Sequence, residues 1–426
     1  MTASDIEPAP DQTPTLAEMT RVFARIGILS FGGPAAQIAL MHRELVDERP
    51  WLSEEQFLSA LSFCTLLPGP EAMQLATYAG WRVHGVIGGL IGGLLFVLPG
   101  AAVIACLTLA YAYYGQVPLI EALFLGIKAT VVVIVLQALQ KVARRALKST
   151  DRWVIAGLSF LGIFVLNLPF PLIIFCAAAY GYATARAGEE PPPEVAGARP
   201  LRTAAVWTAI WLAPLALLAV TGADLLTEIA LFFAKLAIVT FGGAYAVLAY
   251  MTQQVVQDYG WITTAQMMDG LGLAETTPGP LILVTQFVGM LAGFGSGGPG
   301  LALLAAIVTL WMTFTPSFLF IFVGAPFIEW IASRPRLATA LSATTAAVVG
   351  VILNLTVWFA LHVFFTDVGT LRTGPIAMPW PALASFDPIA ALLCVIATGL
   401  LLWRGWSLAA TLGLMAILGA ATAIFP

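Results

Sequence analysis

Apolar runs of about 20 residues recur along the whole length of this chain, each long enough to cross a hydrocarbon core roughly 30 Å thick. That feature excludes most soluble architectures. Of the 426 residues, 60% are hydrophobic and only 10% charged, with a mean hydropathy of +0.92. A soluble domain carries about 25% charged residues, so the polar surface needed to face water is missing. The chain reads as an all-α polytopic membrane protein embedded in a lipid bilayer.

The N-terminal stretch "MTASDIEPAPDQTPTLAEMT" is acidic and proline-rich, without a basic region or a short apolar core. Residues 1–14 therefore read as a disordered tail rather than a signal peptide. Cys64, Cys106, Cys176 and Cys394 lie in apolar segments at unrelated spacings. They read as buried free thiols, and neither a disulfide framework nor a zinc pattern is present. No metal site and no cofactor is expected. A net charge of −4, thinly spread, implies no nucleic-acid partner.

Sliding the chain by 210 residues aligns "FARIGILSFGGPAAQIALMHRELVDERPWLSEEQFLSAL" with "FAKLAIVTFGGAYAVLAYMTQQVVQDYGWITTAQMMDGL" without a gap. Phe23 meets Phe233, Trp51 meets Trp261, Gln56 meets Gln266, and Pro68-Gly69-Pro70 meets Pro278-Gly279-Pro280. Shared leucines mean little in such a sequence; shared helix breakers, tryptophan and glutamine in fixed register mean a repeated module. The first module covers residues 15–186 and the second 225–426, joined by a charged, proline-rich linker at 187–203 and an unpaired span at 204–224. Six spans are expected in the first module, near 21–41, 57–80, 85–114, 118–140, 152–168 and 170–185. Six more are expected near 229–250, 266–290, 298–324, 337–365, 385–403 and 406–424, giving 12–13 in all.

Lys and Arg in short loops set the orientation. "KVARRALKSTDR" (Lys141 to Arg152) and the linker arginines Arg186, Arg199 and Arg202 place those loops in the cytoplasm. Counting back puts the N-terminus inside and the 42–56 loop outside. Counting forward, the odd span delivers the second module upside down; Arg334, Arg336 and Arg404 then fall inside, with Arg372 the lone exception. Inverted repeats of this kind mark secondary transporters.

Unpaired backbone groups cost several kcal/mol in hydrocarbon, so broken helices persist only inside protein or beside a wet cavity. Pro68 and Pro70 each lack an N–H, and Gly69 frees the dihedrals between them. A helix must stop near Leu67 and can restart near Pro70, with its N-terminal N–H groups and positive dipole end facing whatever precedes it. Two such breaks from inverted copies, Pro68–Pro70 and Pro278–Pro280, make an anion site without a buried lysine. The competing reading is a plain kink or a tight helix crossing. Matched breaks in both copies favour a transport site.

Phe31-Gly32-Gly33 and Phe241-Gly242-Gly243 are the second shared motif, read either as substrate contact or as close packing. Arg25 and Lys235 sit six residues before each, as anion-attracting groups or as snorkelling side chains. Lys128 lies deep in an apolar span with Glu121 two turns earlier on the same face. Glu71 and Glu275 flank the two breaks, as proton-coupling groups or as partners of nearby cations. Ser30, Thr65, Gln74, Thr240, Thr276, Thr277 and Gln286 are neutral candidates for hydrogen bonds to oxyanion oxygens.

Phe-Gly-Gly-Pro, the stretch from Trp51 to Phe57 and "LLPGPEAMQLATYAGW" resemble the first domain of the chromate ion transporter family, and "AETTPGPLILVTQFVG" resembles its second. The resemblance implies a long-chain, two-domain inner-membrane protein that expels chromate and confers chromate resistance, with sulfate as a competing look-alike. A homodimer is compatible with it. Ala244 replaces the expected proline after the second Phe-Gly-Gly, so the copies are not equivalent. Moving a dianion out of an inside-negative cell is favourable by about 4.6 kcal/mol at 100 mV, whereas sulfate uptake needs coupled cations or protons. The same-class rival is a sulfate or other oxyanion transporter. An intramembrane enzyme is disfavoured, because His42, His84 and His362 are scattered and no H-E-x-x-H or G-x-S-x-G occurs.

Overall fold

The computed structural model describes residues 14–185, 200–239, 241, 244–328, 334–374 and 376–424. The expected tail up to Thr13 and the linker from Arg186 to Arg199 lie outside them. Among the described residues there are 15 α-helices and one two-stranded hairpin. The first seven helices are α1 (Leu16–Leu29), α2 (Gly33–His42), α3 (Glu54–Leu66), α4 (Glu71–Tyr114), α5 (Pro118–Ala146), α6 (Thr150–Phe164) and α7 (Phe170–Thr184). After α8 (Pro200–Thr221) come α9 (Asp224–Val239), α10 (Ala244–Thr252), α11 (Thr264–Thr276), α12 (Val284–Gly324) and α13 (Pro335–Phe364). An antiparallel hairpin, β1 (Val368–Thr373) and β2 (Ile376–Pro381), precedes α14 (Pro388–Thr398) and α15 (Leu408–Ile424).

The series α1–α4 is repeated by α9–α12 down to its irregularities. α2 and α10 each run into a π-helical turn, Arg43–Asp47 and Gln253–Asp258. α3 and α11 each open with a capping box, Ser53 with Gln56 and Thr263 with Gln266, which satisfies free N–H groups at the helix start. That is why the glutamine recurs in register. α3 ends at Leu66 and α4 begins at Glu71, the interruption that Pro68-Gly69-Pro70 dictates.

α4 and α12 each reverse direction inside their length. The backbone leaves helical geometry at His84 and Gly85 in α4, and at Gly297 and Gly298 in α12. Gly80 then packs on Gly88, and Gly92 on Ala76, the register of two antiparallel limbs, 71–83 and 86–114. In α12, Gly289 packs on Ala305 and Gly293 on Leu301, so 284–296 and 299–324 are antiparallel as well. α11 faces the first limb of α12 through Gly270 against Phe287. Each Pro-Gly-Pro is thus the tip of a helical hairpin.

These reversals shorten the elements. α1 has 14 residues and α3 has 13, which is about 20 Å of helix and short of a hydrocarbon core. Five described helices are long and apolar enough to cross a membrane: α4, α5, α8, α12 with its flanking 3₁₀ turns, and α13. The expected 21–41 and 57–80 spans are instead broken segments.

The 42–56 segment departs from expectation for the same reason. Arg25 of α1 pairs with Glu44 at 3.4 Å, and the Phe23 and Trp51 rings lie 6.5 Å apart. The α4 turn is anchored just ahead of α1 by His84 Nε2, 2.6 Å from the Pro14 carbonyl oxygen. The break at Phe31–Gly33 turns the chain round, so 42–56 packs back along α1.

At the centre, Gly89 and Gly93 of α4 meet Phe322 and Phe318 of α12, so the second limbs of these helices run antiparallel. Around them packing is exchanged between the halves: α5 packs on α14 and α15, and α13 packs on α6 and α7. The approach is at backbone level; a Cβ on Gly126 would sit 1.7 Å from the Met415 carbonyl oxygen. Such small-residue contacts hold helices together where lipid removes the hydrophobic drive. α8 is fastened to α12 by two indoles. Pro316 deprives the Met312 carbonyl of its helical partner, and Trp211 Nε1 donates to it at 3.1 Å. Trp311 Nε1 donates back to the Ile210 carbonyl at 3.2 Å.

Candidate functional site

The two kinds of break meet, one from each half of the chain. The Gly279 N–H donates to the Ser30 carbonyl at 2.8 Å. Gln37 Nε2 donates to the Gly279 carbonyl at 2.7 Å and to the Ser30 carbonyl at 3.3 Å. Ser30 and Gln37 are buried, and Ser30 Oγ donates to the Ile26 carbonyl at 2.6 Å. The backbone groups freed by the breaks are thereby paired with one another, as burial away from water requires.

The glycines at the tips are dictated by geometry. Gly69 and Gly279 hold φ of +119° and +89°, a region costly for residues with a Cβ. A Cβ on Gly69 would also lie 2.7 Å from Gln74 Nε2 and 2.9 Å from Ser317 Oγ. All six residues of the two Pro-Gly-Pro motifs are buried. The Pro278 carbonyl presses against α4, where a Cβ on Gly100 would sit 2.1 Å from it. In the first Phe-Gly-Gly, Gly32 and Gly33 take φ of +85° and +78°, and Phe31 is exposed. Phe241 is half-buried, while Thr240, Gly242 and Gly243 lie outside the described residues.

Gln74 and Gln286 each donate one N–H to the backbone, Gln74 to the Pro68 carbonyl at 2.7 Å and Gln286 to the Ala101 carbonyl at 3.0 Å. Their Oε1 atoms are buried and unpartnered. Thr276 Oγ1 and Thr277 Oγ1 donate to carbonyls within α11, at 2.8 and 3.1 Å. Along the second limb of α12, Thr309, Thr313 and Ser317 repeat every four residues; all are buried, and none of the three hydroxyls has a hydrogen-bond partner. Most helical hydroxyls here donate to the carbonyl one turn back, as Thr77, Thr108 and Thr130 do. The row runs beside Gly69 at its Ser317 end and beside Gly289 at its Thr309 end.

The ionisable candidates separate into distinct surroundings. Arg25 is exposed and pairs with the fully buried Glu44, which Arg49 also reaches at 2.7 Å. Lys235 is exposed, with its ammonium 5.8 Å from the centre of the Tyr250 ring. Lys128 pairs not with Glu121 but with Asp269 of α11, at 3.0 Å, and Tyr111 O–H donates to the same carboxylate at 2.7 Å. Glu71 is the first residue of α4, at the positive end of the helix dipole. Glu275 is buried and accepts a hydrogen bond from Tyr245 O–H at 2.8 Å; no ion pair to it occurs among the described residues.

A family model described as chromate transporter matches residues 17–182 and 227–423. The chain belongs to the chromate transporter family. Its relatives include a probable chromate transport protein of Synechococcus elongatus, 30% identical over 91% of this chain and 96% of the relative. A chromate transport protein of Pseudomonas aeruginosa is 33% identical over 78% of this chain and 77% of its own length. Another, from Cupriavidus metallidurans, is 29% identical over 82% and 83%. No solved structure is significantly similar. Membership in a chromate transporter family makes the chain a multi-pass membrane transporter rather than an enzyme.

Sequence reasoning missed several groups that the fold brings to this family member's centre. Gln37 was marked only by being a polar residue in the apolar stretch "PAAQIALM". Thr309, Thr313 and Ser317 carry a legible four-residue spacing. Asp269, Tyr111 and Tyr245 gave no signal, because each acquires its role from a partner distant in sequence.

Proposed function

We propose that this protein is a secondary transporter that exports chromate across the bacterial cytoplasmic membrane and so confers chromate resistance. The names of the relatives support the substrate. The junction of Gly279 with Ser30 and Gln37 carries the mechanism, because it joins helix breaks from two halves at one buried place. Half-helix termini at such a junction supply N–H dipoles for an anion without a fixed cation. The Thr309–Thr313–Ser317 row adds hydroxyl donors beside the first tip.

In this reading the two modules, 15–186 and 225–426, lie inverted in the membrane, with 204–224 as the inverting span. The antiparallel second limbs of α4 and α12 support that arrangement. The N-terminus and the Lys141–Arg152 loop face the cytoplasm, by the excess of positive charge there. The substrate-binding set is Phe31–Gly33, Pro68–Pro70, Gln74, Phe241–Gly243 and Thr276–Pro280. Arg25 and Lys235 draw anions toward it from the surface, Lys128 acting only when Asp269 releases it. Export down the membrane potential is favourable by about 2.3 kcal/mol per charge per 100 mV. Glu275, buried beside a tyrosine and without an ion pair among the described residues, would carry a coupled proton in this reading, since an unpaired carboxylate is costly in such surroundings.

Chromate flux into inside-out vesicles, with potential and pH gradient imposed separately and sulfate as competitor, tests this. Uptake driven by an inside-positive potential is expected. Absence of chromate flux under either gradient would overturn the assignment, and preferential sulfate flux would transfer it to the rival oxyanion.

A further inference from the structure

Arg372 is the cation that breaks the charge rule for orientation, and the fold gives it a setting of its own. It sits on β1, and the β1–β2 hairpin belongs to a connection, 365–387, with no counterpart in the first half, where only residues 147–149 link α5 to α6. The hairpin is pinned to the α6–α7 turn, where the Ala377 N–H donates to the Val165 carbonyl at 2.9 Å. Two residues on, Asn167 holds φ of +50°, the one positive value of a residue other than glycine among those described. Strained backbone of this kind accumulates at ligand sites.

Between the hairpin, this turn, the end of α10 and α13 lies a cavity of about 410 Å³. Arg372, Asn167, Thr252, Gln253, Gln257 and Asn354 supply its polar lining together with Thr370, and no carboxylate among the described residues lines it. Arg372 forms no ion pair among the described residues. Gln253 Nε2 donates to Asn167 Oδ1, which leaves the Asn167 amide N–H groups as the free donors. Thr252 is 4% exposed and its hydroxyl is buried without a partner.

The geometry points to a second, vestibular oxyanion site in this cavity, with Arg372 supplying charge and the amides and Thr252 supplying directed hydrogen bonds. An arginine fork with neutral donors and no acid suits a small tetrahedral oxyanion. The cavity lies by the connection from α13 to α14, where the substrate would be held before or after passing the central tips. The inference rests on the oxyanion-transport reading above and adds a place on the route.

The test uses the purified full chain, in detergent for equilibrium binding of radiolabelled sulfate and in proteoliposomes for chromate and sulfate flux. Arg372→Gln is expected to weaken sulfate binding about tenfold, the worth of one charged hydrogen bond. It should raise KM from the cavity side by a similar factor, with the maximal rate changed less than twofold. Arg372→Lys should recover part of the loss, and Thr252→Val should weaken binding without removing charge. Unchanged binding and KM in Arg372→Gln, beside a wild type that transports, overturn the site while leaving the transport reading intact. A wild type that binds sulfate through Arg372 but moves neither anion upholds the site and sinks the transport reading. No sulfate binding by the wild type sinks the site.

Discussion

Gly69 carries two constraints at once, a positive φ and a neighbourhood with no room for a methyl group. Gly69→Ala is therefore expected to lose at least tenfold in chromate flux, since backbone at so positive a φ costs a residue with a Cβ about 1–3 kcal/mol, while immunoblotting of membranes still finds the protein inserted. Full flux in that variant would reduce the motif to packing. Gln37→Leu removes the donor to the Gly279 and Ser30 carbonyls; Ser30 keeps the Gly279 N–H, and a comparable loss is expected from the buried Gly279 carbonyl left without its partner, at about 1–3 kcal/mol. Glu275→Gln should keep potential-driven flux and lose any dependence on the pH gradient. Outside the spans, Glu54 beside His42, at 2.7 Å, holds the imidazole proton and raises its affinity above the ordinary histidine value. Its contribution to stability is fully present below that ordinary value and is lost as pH rises through the raised one. NMR titration should find the His42 midpoint above about 6.5, and Glu54→Gln should bring it back. The residue scale was partly legible in sequence: glycines, prolines and the two capping glutamines announce themselves by type. Gln37 did not, because its partner Gly279 lies 242 positions away and periodicity carries no trace of such a pairing.

At the scale of elements, the sequence predicted where helices stop more faithfully than where the chain goes next. Leu66 and Glu71 bound the first interruption as proline chemistry demands. The turn at Gly85 falls at the gap between the expected spans 57–80 and 85–114, while the backbone-level contact of Gly80 with Gly88 that packs the two limbs became visible only in the fold. α8 was expected as the odd span that inverts the second module, and its Trp211 also completes the carbonyl that Pro316 leaves open in α12. Trp211→Phe keeps the apolar bulk and deletes that donor. It is expected to lower the thermal unfolding temperature in detergent by a few degrees, on the order of 1 kcal/mol. No shift at all would show that the carbonyl is satisfied without the indole.

For the whole molecule, the repeat and the membrane class were written plainly in composition and register, while the path of the broken segments was not. The parity count that puts 42–56 outside treats each apolar stretch as a crossing, and a hairpin adds none. Cysteine probes in a cysteine-free background separate the two layouts. Glu48→Cys and Ser149→Cys should react with an impermeant thiol reagent from the same face of the membrane, and Asp258→Cys from the other. Labelling of Glu48→Cys from the face opposite to both Ser149→Cys and Asp258→Cys would return 42–56 to the far side.

The exchanged packing of α5 and α13 has a consequence for biogenesis. α5 leaves the ribosome long before α14 and α15, the helices against which its Gly126 is shaped. Until they arrive, its contact face has only lipid or insertion machinery to lie against, and the first half of the chain waits, inserted but unfinished, for the last hairpin to be translated. Two half-length chains made separately would have to find each other to complete what the single chain completes by tethering, and the linker sets the local concentration at which they do so.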